Sequence, residues 1–252
     1  MAVEELGQFP TNSLKQAIHQ LNVTGPARVG ARDRTLKRLK EVSSLGIILI
    51  LLALLPSSSW INVRGEEGLT IAVSIHSLKL IIEPIVRPFC KVVVLLPEGA
   101  EPHLFQANPN LMKLARSADL LVLTSHLPFE YKLIESVDTE FLGLEDYSKN
   151  GLELLELPWG GENLHGYWLY PSNAYAIAKT VVEKLSSLDP EHENYYRERL
   201  LLFEEKLNSL KSVIEREMSR AGMKGRPVVI STAAEQYLAR AFDLEIVSIL
   251  YR

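Results

Sequence analysis

The sequence predicts an α/β fold: a doubly wound parallel-sheet lobe, a long bracing helix, and the opening of a second α/β lobe. Three observations carry the prediction. Apolar, β-branched runs of strand length recur from Leu69 onward. Segments with apolar residues at helical spacing separate them, the alternation that builds parallel sheets covered by helices. Finally, "DPEHENYYRERLLLFEEKLNSLKSVIEREMSR" continues for roughly 30 residues from Asp189 with no breaker after Pro190, on the order of 45 Å at the α-helical rise. One small lobe does not need a helix that long, so it reads as a brace between two.

Taken in order, "LTIAVSIH" (Leu69–His76) is a strand buried on both faces, because its apolar residues are nearly continuous rather than alternating. "SLKLIIEPIV" follows as a helix with Pro84 late in it, and "KVVVLLPEG" as a second buried strand closed by Pro97 and Gly99. The Asn-Pro pair of "NPNLMKLARSA" opens a helix. "DLLVLTS" is a third strand, "PFEYKLIES" a short helix, and "NGLELLELP" a fourth strand after an Asn-Gly turn. "PSNAYAIAKTVVEKLSSL" starts at Pro171 and places apolar residues at 174, 177, 178, 181, 182 and 185, one face of a helix. Asp189 suits the cap of the long helix and Pro190 its first position. After "KGRP", the runs "VVIST", "AEQYLARAF" and "EIVSIL" read as strand, helix and strand.

At 252 residues and 47% hydrophobic, the chain can bury one generous core or two modest ones, and it holds no internal repeat. The net charge of −4 is uneven: residues 1–41 carry seven Lys/Arg against four Asp/Glu, which leaves −7 for the remainder. A body that acidic is unsuited to nucleic acid, whose phosphates need a basic face. The single cysteine, Cys90, excludes an internal disulfide and a multi-thiolate metal cage, and in "RPFCKVVVLL" it reads as a small buried hydrophobe. "RDRTLKRLKEVSSLGIILILLALLPSSSW" sets a basic cluster before an uncharged run, Leu45–Leu55, and then three serines, the order of a secretory signal. Counted from Val42 to Val63, the same segment just suffices as an uncleaved membrane anchor. Either way the basic side precedes it, which leaves everything after Trp60 outside the cytoplasm. The expected organisation is a basic tail with signal or anchor over residues 1–62, a first lobe over 67–170, and a helical segment over 171–220. The start of a second lobe follows over 225–252.

Open parallel sheets collect ligands beyond the carboxyl ends of their strands. His76 ends the first strand, His103 lies after the second and His126 follows the third, so the fold predicts one rim for three of the six histidines. Blander roles are open for two of them: His76 as a hydrogen-bonded cap, His126 as the cap of the helix after it. The sequence holds no Walker-type phosphate loop, no Gly-x-Ser-x-Gly elbow and no His-Glu-x-x-His helix, which argues against an enzyme.

Four blocks in order resemble the metal-binding subunit of zinc and manganese uptake ABC transporters. They are "IAVSIHSLKLI", "VVVLLPEGAEPHLFQANPNLMKLARSADLLVL", "WLYPSNAYAIAKTVVEKLSSLDPEHENYYRERLLLFEEKL" and "VVISTAAEQYLARAFDLEIVSI". The resemblance runs from Leu69 to the C-terminus. It implies two α/β lobes joined by a long helix, with the second lobe incomplete at Arg252. It also implies an exported, membrane-associated protein that binds Zn2+ or Mn2+ through histidines and delivers it to an ABC permease. His103 matches the first family ligand. His165 corresponds to the second, although "HGYW" places it three residues before Trp168 with Gly166 at the usual position. The third falls on Thr232, a poor neutral ligand, and the acidic fourth would lie beyond Arg252. His126 and His76 are therefore the candidates for completing a site of four donors. If four histidines converge, affinity collapses below their ordinary pKa of about 6.5 as protons compete with the metal. The alternative is a degenerate relative without metal affinity, acting as an interaction protein.

Overall fold

Four short parallel strands form the sheet of the leading lobe, and the two central ones are apolar because both their faces are covered. In this computed structural model, which describes residues 68–251, they are β1 (Thr70–Val73), β2 (Lys91–Val94), β3 (Leu120–Val122) and β4 (Phe141–Leu142). The spatial order is β2-β1-β3-β4, all parallel, with Ile71 opposite both Val92 and Leu120. β1 and β3 are almost fully buried, as continuous apolar runs require. The chain leaves β1 toward β2 on one edge and β3 toward β4 on the other, so the loops at their carboxyl ends diverge around a crevice between β1 and β3.

The helices of this lobe are α1 (His76–Val86), α2 (Pro109–Arg116), α3 (Pro128–Ser136) and α4 (Leu144–Lys149). α2 starts as its sequence requires: the Asn108 side chain accepts from Leu111 N at 3.0 Å and Pro109 takes the first helical position. α5 (Pro171–Leu188) buries Ala174, Ile177, Ala178, Val181, Val182 and Leu185, the face read from its spacing. A 3-10 turn (Pro190–His192) precedes α6 (Glu193–Arg220), 28 residues or about 42 Å of helix. The turn displaces the expected start: Asp189 uses its carboxylate on His192 Nδ1 and Tyr196 OH rather than on the helix's first amides. α6 is tied to the first lobe through Arg199, whose guanidinium donates to the Pro84 carbonyl at 2.7 Å and 3.0 Å. β5 (Pro227–Thr232), α7 (Glu235–Ala241) and β6 (Glu245–Tyr251) then form a separate two-stranded parallel sheet with α7 packed on it.

One element departs from expectation. The fourth strand is Phe141–Leu142, not "NGLELLELP", and the chain from Gly151 to Leu157 joins no sheet. Its backbone is satisfied elsewhere. Glu153 N donates to Asn173 Oδ1 (3.0 Å), Leu155 N to Tyr237 OH (3.0 Å) and Leu157 N to the Gly161 carbonyl (2.8 Å). Apolar content marked the segment as buried, but its donors meet two side chains and a local turn carbonyl rather than a neighbouring strand, which periodicity does not register. The expected tail and signal or anchor segment, residues 1–62, lies outside the described residues. Among the described residues no helix is long and apolar enough to cross a membrane.

Candidate metal centre

Three imidazoles meet above the carboxyl edge of the first sheet. His103, His126 and His165 each offer a ring nitrogen, and these atoms lie within 4.8 Å of one another. Ring centroids are 5.7 Å apart for His103–His126 and 5.2 Å for each of the other two pairs. Their cavity of ≈ 210 Å³ is otherwise mostly apolar, walled by Ile75, Pro102, Leu127, Trp168 and Ala234.

A different device holds each histidine. His103 sits in the turn after β2, where Glu101 Oε2 accepts from Leu104 N at 2.9 Å and closes the turn around it. His126 belongs to the β3–α3 loop, which wraps around the buried Glu130 carboxylate. Glu130 accepts from Thr124 N (2.6 Å), His126 N (3.0 Å), Leu127 N (3.0 Å) and the Thr124 hydroxyl (2.9 Å). A carboxylate so fully supplied with donors fixes the loop that presents the ring. The ring of His126 then stacks on Trp168, centroids 5.9 Å apart and planes 24° off parallel.

His165 is held from the side of the second sheet. Its N–H donates to Oδ1 of the fully buried Asn163 at 3.0 Å, and the Asn163 amide donates to Ala233 O (2.8 Å) and Gln236 Oε1 (2.9 Å). Tyr237 OH donates to Asn163 O at 2.6 Å. The following Gly166 has φ +77°, and a Cβ there would lie 2.7 Å from Ala234 O. Only glycine allows both that left-handed turn and the close seat of Ala234.

His76 is not brought to this group. It is the first residue of α1, exposed, and lines a separate cavity of ≈ 420 Å³ with Leu96, Glu98 and Gly99. The chain turns into the helix between the two residues, so Ile75 rather than His76 faces the triad. Thr232, at the end of β5, is exposed and lines no part of the cavity. Glu130, Asn163 and Trp168 organise the triad and went unread in the sequence. Of these, Glu130 had a signal: an acid three residues after Leu127 and two after Pro128, at the opening of a helix.

The electrostatics suit neutral donors. Burial first, and the neighbouring His165 ring second, push the His126 imidazole down from 6.5 to about 4. Burial and then the His103 ring lower His165 as well. His126 Nδ1 is buried with no hydrogen-bond partner, the one such side-chain atom found among the described residues. An orphaned ring nitrogen beside two further imidazoles is the donor set of a borderline divalent metal. Tetrahedral zinc at 2.0–2.1 Å from each nitrogen sets them about 3.4 Å apart, so nitrogens at the 4.8 Å limit close by about 1.4 Å. His103 and His165 are exposed and have the freedom to do so.

The proteins this chain resembles are named as uptake components and substrate-binding proteins rather than enzymes. Residues 71–251 match the ZnuA family, described as zinc-uptake complex component A, periplasmic, and the chain belongs to that family. The metal ABC transporter substrate-binding lipoprotein SloC of Streptococcus mutans is 26% identical over 172 residues, 61% of this chain and 54% of that one. The chain therefore spans about half the length of that relative. The manganese ABC transporter substrate-binding lipoprotein PsaA of Streptococcus pneumoniae is 22% identical over 221 residues, 83% of this chain and 70% of that one. A crystal structure of ZnuA superposes with TM-score 0.62 at 22% identity, covering 72% of this chain and 70% of its own, and shows the shared fold.

Proposed function

We propose that this chain is an extracytoplasmic binding protein that captures a divalent metal ion, Zn2+ or Mn2+, with His103, His126 and His165 and delivers it to an ABC permease. The observation that carries this is the approach of three ring nitrogens to within 4.8 Å, one of them buried without a partner. The names of SloC and PsaA, which denote substrate-binding lipoproteins of metal ABC transporters, support the class of cargo and the transporter partner. Three imidazole donors favour Zn2+ over Mn2+, which prefers oxygen donors. The basic-then-apolar segment ahead of Trp60 acts as the export signal or membrane anchor.

Equilibrium dialysis tests the reading. The parent chain takes up one Zn2+ and holds Mn2+ more weakly. His103→Ala, His126→Ala and His165→Ala each weaken Zn2+ at least about tenfold, roughly 1.4 kcal/mol, while His76→Ala does not. Thr232 supports the alternative of an interaction protein without metal affinity. That alternative stands if the parent and the three triad variants retain equally little metal.

A further inference from the structure

We infer that Ser125 is a positioning residue for metal capture: a left-handed bend at its backbone, locked through its hydroxyl, aims the His126 ring into the cavity. This rests on the metal reading above and extends it to a residue outside the triad.

The backbone comes first. Two non-glycine residues among those described have positive φ, Ser125 at +63° and Asp243 at +55°. Asp243 follows the Phe242 cap of α7, a helix end where left-handed residues are ordinary. Ser125 ends no helix: it lies between β3 and Pro128, the first residue of α3, and directly precedes His126. Left-handed backbone is costly for a residue with a Cβ and persists only where its surroundings hold it. Here both sides are held. Thr124 donates its N–H to Glu130 Oε1 at 2.6 Å, and its carbonyl accepts from Tyr167 OH at 3.1 Å. His126 N and Leu127 N both donate to Glu130 Oε2 at 3.0 Å. The amides of Thr124 and Leu127 would be about 10 Å apart in an extended chain. They meet one carboxylate because the chain curls at Ser125.

The hydroxyl comes second. Glycine takes such a bend freely, so a serine here is explained by what its side chain adds. Ser125 Oγ accepts from Leu144 N at 3.0 Å, in the first turn of α4, whose own cap residue is Gly143 and brings no side chain. The Ser125 carbonyl accepts from Tyr131 OH at 3.2 Å, a tie to α3. Gly143 is fitted to the same contact. Its φ of −144° suits any residue, but a Cβ there would lie 2.4 Å from Ser125 Oγ. The loop that carries His126 is thereby fastened to the loop after β4, its neighbour on the carboxyl edge of the sheet. From that fixed backbone the His126 ring stacks on Trp168 and meets the two other imidazoles.

A double-variant cycle on the full chain, stripped of metal with a chelator, tests the lock. Ser125→Gly keeps the bend accessible and removes the hydroxyl. Its Zn2+ binding weakens at least about tenfold, the lower end of the cost for residues that orient metal ligands. The urea midpoint of the metal-free variant stays near the parental value, because relief of the bend offsets the lost acceptor. Gly143→Ala drives a methyl group against the hydroxyl and weakens Zn2+ from the other side of the contact. Added to Ser125→Gly it changes little more, a non-additivity that independent losses of stability do not produce. Proton NMR without metal supplies a second readout. The His126 ring signal, assigned by its disappearance in His126→Gln, shifts in Ser125→Gly as the ring leaves Trp168. Parental Zn2+ affinity in Ser125→Gly overturns the inference alone. Additive losses in the double variant, or an unmoved His126 signal, overturn it as well. A parent chain that takes up no Zn2+ overturns the metal reading and this inference with it.

Discussion

His126 concentrates the conflict on which the site is built. Its ring nitrogen Nδ1 is buried without a partner, which in an ordinary core costs about 1–3 kcal/mol. Its backbone, by contrast, is held by the Glu130 carboxylate, which leaves the ring little freedom to seek a partner elsewhere. The pH dependence of the metal-free protein follows. The folded pKa lies near 4, below the ordinary 6.5 of the unfolded chain, so between these values the unfolded state binds more protons. Stability is therefore full above about pH 6.5 and is lost as pH falls toward about 4, by up to about 3 kcal/mol. Urea unfolding with chelator present, compared at the two ends of that window, measures the loss. His126→Gln, which does not titrate, flattens the dependence. An equal slope in that variant would assign the effect to another group. The same depression modifies the pH limit expected from free histidine: at this ring, proton competition with metal sets in nearer pH 4 than 6.5.

At the scale of elements, the segment from Gly151 to Gly166 is the part that pattern reading treated worst, and the reason is physical. Strands β1, β2 and β3 announce themselves because burial on both faces demands unbroken β-branched runs. The helix faces of α5 and the Asn108 cap of α2 were legible for similar reasons, being local and periodic. The 151–166 segment is organised instead by side chains remote in sequence, Asn173 at 20 residues and Tyr237 and Gln236 of α7 at 73 or more. No local signal encodes such partners. The loop placement of His103, His126 and His165 was legible from strand ends and family likeness, whereas His76 was misplaced by a single residue of helix start. The seam between α7 and the His165 loop makes a prediction at its tightest point. Gly166→Ala introduces left-handed strain of about 1–2 kcal/mol and drives a Cβ to 2.7 Å from Ala234 O. Both sides must then separate, so the variant weakens Zn2+ binding and increases protease cleavage near α7 together. A variant that becomes protease-sensitive there while keeping parental affinity would show that the seam does not position His165.

Across the whole molecule, stability is distributed unevenly between the two sheets. The first is sealed: Ile71, Val73, Leu120, Leu121 and Val122 are inaccessible to solvent. The second is a parallel pair with α7 packed on it, while Val229, Val247 and Leu250 remain 55%, 58% and 64% exposed. Parallel sheets are ordinarily covered on both faces, and a two-stranded sheet with apolar residues in water lacks much of the burial that offsets the ordering of its backbone. α7 is a partial exception, because Gln236 and Tyr237 bind it to the first lobe's 153–166 segment. Local unfolding free energies follow such differences in buried contact. Amide hydrogen exchange therefore ranks the elements, with β6 exchanging at least about a hundredfold faster than β1 and β3, and α7 between them. Zn2+ adds protection chiefly at α7, since an ion on His165 tightens the loop that Asn163 and Tyr237 share with it. Protection in β6 equal to that of β1 would mean that the second sheet is held by more than α7, and the pinning of α7 to the triad would then no longer account for its order.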